Sequence, residues 1–217
     1  MRVLLVALVL LLALPQFGCQ TAARELYYDS LERLGTPRRE LLSDRVEKAR
    51  ESQEDAKEQF ASALDEFQAL TGFDGGDLER MYRKLDKEYE RANDDAEEAR
   101  DRIEAVENAA ASLFNEWEEE LDEYSDPDFR RRSEDQMDDA RDRYDGLIAA
   151  MRRVERTMDP VLATFRDHVL FLKHNLNAQA IASLEGEVAS LQTDVDRLIA
   201  DMEAAIAEAD AFIEVMG

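Results

Sequence analysis

The sequence predicts an all-α protein: an elongated antiparallel coiled-coil or helical bundle of three to four long helices. Three observations carry this expectation. The 217 residues include only 8 Gly, 4 Pro and 7% aromatics, so turn formers and strand formers are both scarce. Charged residues make up 36% of the chain, above the usual quarter, as long helices with solvated faces require. From Leu42 to Met216 apolar residues recur in steps of three and four, which holds one stripe on one helix face. The expected division is a signal segment over 1–18, an anchor-proximal segment with a short helix over 19–36, and one elongated bundle over 37–217.

The first element is MRVLLVALVLLLALPQFGC. Arg2 precedes an apolar core from Val3 to Leu14, 12 residues that are too few to span a bilayer and fit the apolar region of an export signal. The segment ends in Gly18 and Cys19, the only cysteine of the chain. Here the chain resembles bacterial lipoproteins, whose signal ends in small residues before a cysteine that becomes the acylated N-terminus. The resemblance implies lipid attachment at Cys19. Gln20 behind it, in place of Asp, implies sorting to the periplasmic face of the outer membrane. Gln16 departs from the pattern, since an aliphatic residue is usual there. The competing outcome is ordinary signal cleavage after Ala23, with Thr21 and Ala23 as the small residues, which discards Cys19. A single cysteine excludes an internal disulfide and leaves an oxidising compartment open. Beyond it, Ala22 to Leu34 reads as a short helix between anchor and bundle.

The helices follow in order. Leu42, Val46, Ala49, Gln53, Ala56, Phe60, Ala63, Phe67 and Leu70 mark a helix over 37–71, with Gln53 as its only polar interruption and Thr36–Pro37 as cap and first turn. FDGGD, residues 73–77, is a tight turn, and Asp77 is placed to cap the next helix. That helix, 77–125, carries Leu78, Met81, Leu85, Tyr89, Ala92, Ala96, Ala99, Ile103, Val106, Ala110, Leu113, Trp117, Leu121 and Tyr124. Its small-residue middle lets neighbouring helices approach closely. Pro127 stops it and starts a third helix over 128–176, from Met137 through Phe165 to Leu176, with a kink or cap at Asp159–Pro160. Ile181, Leu184, Val188, Leu191, Val195, Leu198, Met202, Ile206, Ala209, Ile213 and Met216 mark a last helix over 178–216. At 1.5 Å per residue the four would be roughly 50, 75, 75 and 60 Å long, which suits an up-down-up-down bundle. The segment LKHNLNAQ, residues 172–179, decides whether the chain folds back. A turn there is favoured, because one continuous helix would leave an apolar stripe uncovered and imply a homodimer.

Three stretches, LLSDRVEKARESQEDAKEQF, FNEWEEELDEYSDP and FRDHVLFLKHNLNAQAIASLEGE, resemble a proteobacterial domain-of-unknown-function family of exported coiled-coil proteins. The resemblance spans essentially the whole chain after the signal and implies no activity.

The net charge of −24, or −25 with 26 basic and 51 acidic residues after loss of 1–18, argues against nucleic acid and against anionic lipid surfaces. No phosphate-binding glycine loop and no nucleophile elbow is present in the sequence. His168 and His174 are the only histidines, and six residues of helix place them on different faces. Neither has the Glu-x-x-His spacing of di-iron bundles, so each reads as a rim or interface histidine. The acidic run EWEEELDEYSDPD, 116–128, reads as a solvated face before a capped turn rather than a calcium site. Arg130 to Arg132, Arg152, Arg153 and Arg156 are expected to pair with acids three or four residues away, and Trp117 to be core.

HNLNAQAIAS, 174–183, is where local preference conflicts with pattern. His174, Asn175 and Asn177 are therefore the candidates for a turn, for buried register-setting amides, or for a partner contact. No cofactor, metal or catalytic residue is expected. The function expected is a lipid-anchored periplasmic coiled-coil protein, acting as an envelope scaffold, spacer or adaptor for another envelope protein. The alternative is a soluble periplasmic binding or holdase-like protein released after Ala23.

Overall fold

The structure, a computed structural model, describes residues 37–72 and 77–216. The export segment, Cys19, the short helix expected at 22–34 and the two glycines of the first turn lie outside the described residues. The chain divides into two compact units, 1–38 and 39–217, and the second carries the helices that pack on one another.

Five helices make up the described chain: α1 (Arg38–Thr71), α2 (Leu78–Leu121), α3 (Pro127–His174), α4 (Ala178–Leu184) and α5 (Val188–Met216). Four of them hold 34, 44, 48 and 29 residues, and α4 holds seven. No strand occurs among the described residues. Each boundary has a local cause. Asp77 caps α2 by accepting the Arg80 N–H at 3.0 Å. Asp126 caps α3 by accepting from Asp128 at 2.8 Å, and Pro127 occupies the first turn, where a missing N–H costs nothing.

Cross-helix contacts fix the directions. Gln59 and Lys84 tie α1 to α2 by bonds to Glu88 (2.7 Å) and Glu66 (2.5 Å), with numbers rising on one helix as they fall on the other. Arg100–Asp159 and Arg141–Glu118 do the same for α2 and α3. Thr157 donates to Asp201 at 2.8 Å between α3 and α5. Arg39 reaches the Met216 carbonyl, and Gln68 the Gln192 side chain, so α5 runs antiparallel to α1. Neighbours therefore alternate in direction, as in an up-down-up-down bundle. The chain does fold back after α3, since α5 packs along it.

The nine stripe residues of α1 are all buried, Gln53 included. The alanine seam is real: Ala49, Ala56, Ala92, Ala96, Ala99, Ala205 and Ala209, from three helices, are fully buried. Large side chains close the rest of the core, among them Phe60, Phe67, Phe165, Leu85, Ile103, Leu147, Met151 and Met158. Burial of this kind is worth about 1.5–3 kcal/mol per large apolar side chain, and it sets the helix faces.

Several expectations need correction. α2 stops at Leu121, and Tyr124, expected as its last core position, is exposed in the turn. The last helix is not continuous over 178–216: a turn at Glu185–Glu187, centred on Gly186, separates α4 from α5. Gly carries the highest helix cost after Pro, and here no packing overrides it. In α5 the buried stripe is Met202, Ala205, Ala209, Phe212 and Met216, with Ile206 and Ile213 half-buried on its flank. Pro160 stands inside α3 on the exposed side and does not end it.

Candidate functional site

The α3–α4 corner is built from the residues singled out at HNLNAQ. His174 ends α3, exposed and in the last turn. Asn175 is the C-cap, and its side chain donates to the Phe171 carbonyl at 3.0 Å. Asn177 is the N-cap of α4 and accepts from the N–H groups of Gln179 and Ala180, both at 3.1 Å. Both asparagines are exposed, so the reading of buried register-setting amides is wrong and the capping chemistry explains them. Leu170 and Phe171 stand exposed beside them. At the other end of α3 the turn exposes Tyr124 and Phe129, the latter 56% accessible. Arg132 lies over the Phe129 ring at 5.9 Å.

Of the basic clusters, Arg130, Arg131 and Arg152 form ion pairs, not only along their own helix, while Arg132, Arg153 and Arg156 form none among the described residues. Arg131 meets Asp128 three residues away, while Arg130 crosses the turn to Asp122 at 3.1 Å. Arg152 is held by Glu107 of α2 and by Glu155 one turn on, which raises its pKa further above the ordinary guanidinium range.

Two buried ionisable groups escaped the sequence pattern. Glu88 is buried at a position next to the expected stripe residue Tyr89. Gln59 donates to it at 2.7 Å, and Arg91 sits at 3.0 Å. The hydrogen bond from Gln59, then the Arg91 charge, outweigh burial and hold its pKa below the usual carboxylate range. His168 is not at the rim. Only 9% exposed, it stacks flat on Phe67 with centroids 4.7 Å apart and planes 5° from parallel. Phe165 meets the same Phe67 ring edge-on at 6.4 Å. Burial depresses the His168 pKa, against the opposing charges of Glu187 and Asp167, and its Nδ1 has no protein partner.

A cavity of about 240 Å³ opens where the start of α1 and the end of α5 meet α2 and α3. Arg39, Trp117, Gln136, Asp139, Arg143 and Met216 are among its walls. Trp117, expected in the core, is half-buried on this wall, with its indole N–H donated to the Ser133 hydroxyl at 2.8 Å. The Arg39 guanidinium donates to the carbonyls of Met216 (2.9 Å) and Val215 (3.2 Å), closing the last turn of α5. Arg143 is exposed at the mouth.

Among the described residues no three His, Cys, Asp or Glu side chains are grouped to hold a metal ion, and no helix is long and apolar enough to cross a membrane. No curated protein and no solved structure matches the chain. The family model described as "Protein of unknown function (DUF2959)" matches residues 27–216, and the chain belongs to that family.

Proposed function

We propose that this protein is a lipid-anchored envelope adaptor or spacer without catalysis, held at the outer membrane through Cys19 and engaging envelope proteins through the ends of its helices. One observation carries the reading. Among the described residues the exposed large apolar side chains are Tyr124, Phe129, Leu170, Phe171 and Val215, and every one lies at or beside a helix end. Exposed apolar residues gathered in this way mark contact surfaces, whereas singly scattered ones need no explanation. Phe129 and Phe171 lie on one helix, separated by about 60 Å at 1.5 Å per residue. Such spacing suits a protein that holds two partners apart.

The test places a photo-crosslinking amino acid at Phe129, at Phe171 and at exposed Asp101 of α2 in living cells. Distinct adducts at 129 and 171, absent at 101, are expected. Adducts at all three alike, or at none, would refute the adaptor reading. Cys19→Ser should abolish fatty-acid labelling and release the chain from the membrane fraction. Gln16 favours the second reading, a soluble periplasmic protein cleaved after Ala23, and an unchanged fractionation in Cys19→Ser with a mature N-terminus at Arg24 would establish it.

A further inference from the structure

We propose that the cavity at the junction of α2, α3 and the end of α5 is a binding site for a small organic anion carrying an aromatic or compact apolar group, an arylcarboxylate being the simplest case. This inference does not depend on the adaptor reading or on the anchor.

Three features of the cavity point to that chemistry. The first is charge. The chain carries −24 overall, and a depression of about 570 Å³ on α2 is lined by four carboxylates, Asp94, Glu97, Glu98 and Asp101, against one guanidinium, Arg102. The cavity by Trp117 is the reverse, with two guanidiniums against one carboxylate, Asp139. Arg39 spends its hydrogen bonds on neutral carbonyls, and among the described residues no acid pairs with it there. Arg143 has no ion pair or hydrogen bond among the described residues, although Asp139 lies one turn away. An excess of one positive charge matches a monoanion, and a guanidinium presents the paired donors that a carboxylate accepts.

The second feature is the floor. The Trp117 ring is fixed by its bond to Ser133, and Val215, Met216 and Ala140 supply an apolar wall. Aromatic and apolar walls with a few polar groups are the usual make-up of a small-molecule site. The third is size. About 240 Å³ lies below the ~300–1,000 Å³ of pockets for drug-sized ligands, which leaves room for one ring and one acid group.

Trp117 is the only tryptophan in the chain, so its emission reports this cavity alone. Full-length protein is titrated with benzoate and with its neutral isostere benzamide, with calorimetry as a second readout. A saturable benzoate response is expected, at least tenfold weaker for benzamide and at least tenfold weaker in Arg143→Gln. Arg143→Lys should recover part of the affinity. Arg143 is exposed, so Arg143→Gln should retain the parental circular dichroism and melting temperature. Absence of saturable binding, equal binding of benzamide, or full affinity in Arg143→Gln would each overturn the proposal.

Discussion

Gln53 offers the sharpest test of how this core is held together. Its side chain has no solvent exposure, and neither Oε1 nor Nε2 has a protein partner. An unsatisfied buried polar group costs about 1–3 kcal/mol, and this side chain contains two such atoms. Gln53→Met keeps the length, the absence of branching and nearly all of the helix propensity, while removing both polar atoms. Imperfect fit of the new side chain subtracts up to about 1.5 kcal/mol. A net gain of about 1–3 kcal/mol is therefore expected. For a domain of this size each kcal/mol moves the melting temperature by roughly 2–4 °C, so the shift is about 2–12 °C upward. Urea unfolding followed by circular dichroism, with the slope compared between variants, measures it directly. A loss of 1 kcal/mol or more in Gln53→Met, at unchanged slope, would refute the reasoning, because the amide would then be making favourable bonds in the native state. A gain in stability accompanied by broadened amide resonances would show that the amide specifies a unique register at the cost of stability.

Four further outcomes follow from the packing and the shifted groups. Phe67→Ala removes the fully buried ring that touches Phe165 and His168 and should cost about 3–5 kcal/mol; a loss below about 1 kcal/mol would mean the contact is not closed. His168 has a folded pKa below its ordinary value, so the unfolded chain takes up the proton first. Its contribution is complete above about pH 6.5 and is lost as the pH falls from there through the lower folded value. Urea midpoints should thus fall less on acidification in His168→Leu than in the parent, and equal slopes would count against this. Burial, with smaller contributions from Glu107 and Asp145, pushes Tyr144 up to about 12; in a phenolate absorbance titration, Tyr144→Phe should lack that late component. Asn177→Ala removes the α4 cap at a local cost of about 1 kcal/mol, seen as faster amide exchange at Gln179 and Ala180 with little change in global melting.

The stripe of α1 was fully legible because each of its positions recurs at three or four residues and all face one core. Asp77 and Pro127 were legible for another reason: capping and first-turn chemistry are local. Errors arose where the outcome depended on which other helix arrived. Trp117 and Tyr124 keep the heptad phase of α2, but Trp117 stands on the wall of a cavity between the start of α1 and the end of α5, and Tyr124 lies past Leu121, where α2 stops. Ile206 and Ile213 lost the inward position to Ala205 and Phe212, because the buried stripe Leu191, Val195, Leu198, Met202, Ala205, Ala209, Phe212 and Met216 alternates steps of four and three, whereas choosing the larger Ile206 puts two steps of four in a row. Glu88 and His168 carry no periodic signal, because their burial is compensated by partners on α1. Gly186 could have been seen from its type alone. The Trp117 cavity gathers residues from α1, α2, α3 and α5, and no local window contains them.

The alanine seam also bears on how such a chain can diverge. Where three helices meet through buried methyl groups, a larger side chain overpacks the core and costs about 1–3 kcal/mol. Ala96, Ala99, Ala205 and Ala209 are therefore positions at which growth of the side chain is penalised, however apolar the newcomer. The charged outer faces impose no comparable restriction. Substitutions are thus tolerated best on the outer faces, where the side chains decide what the protein touches, while the buried alanines hold the helices close together.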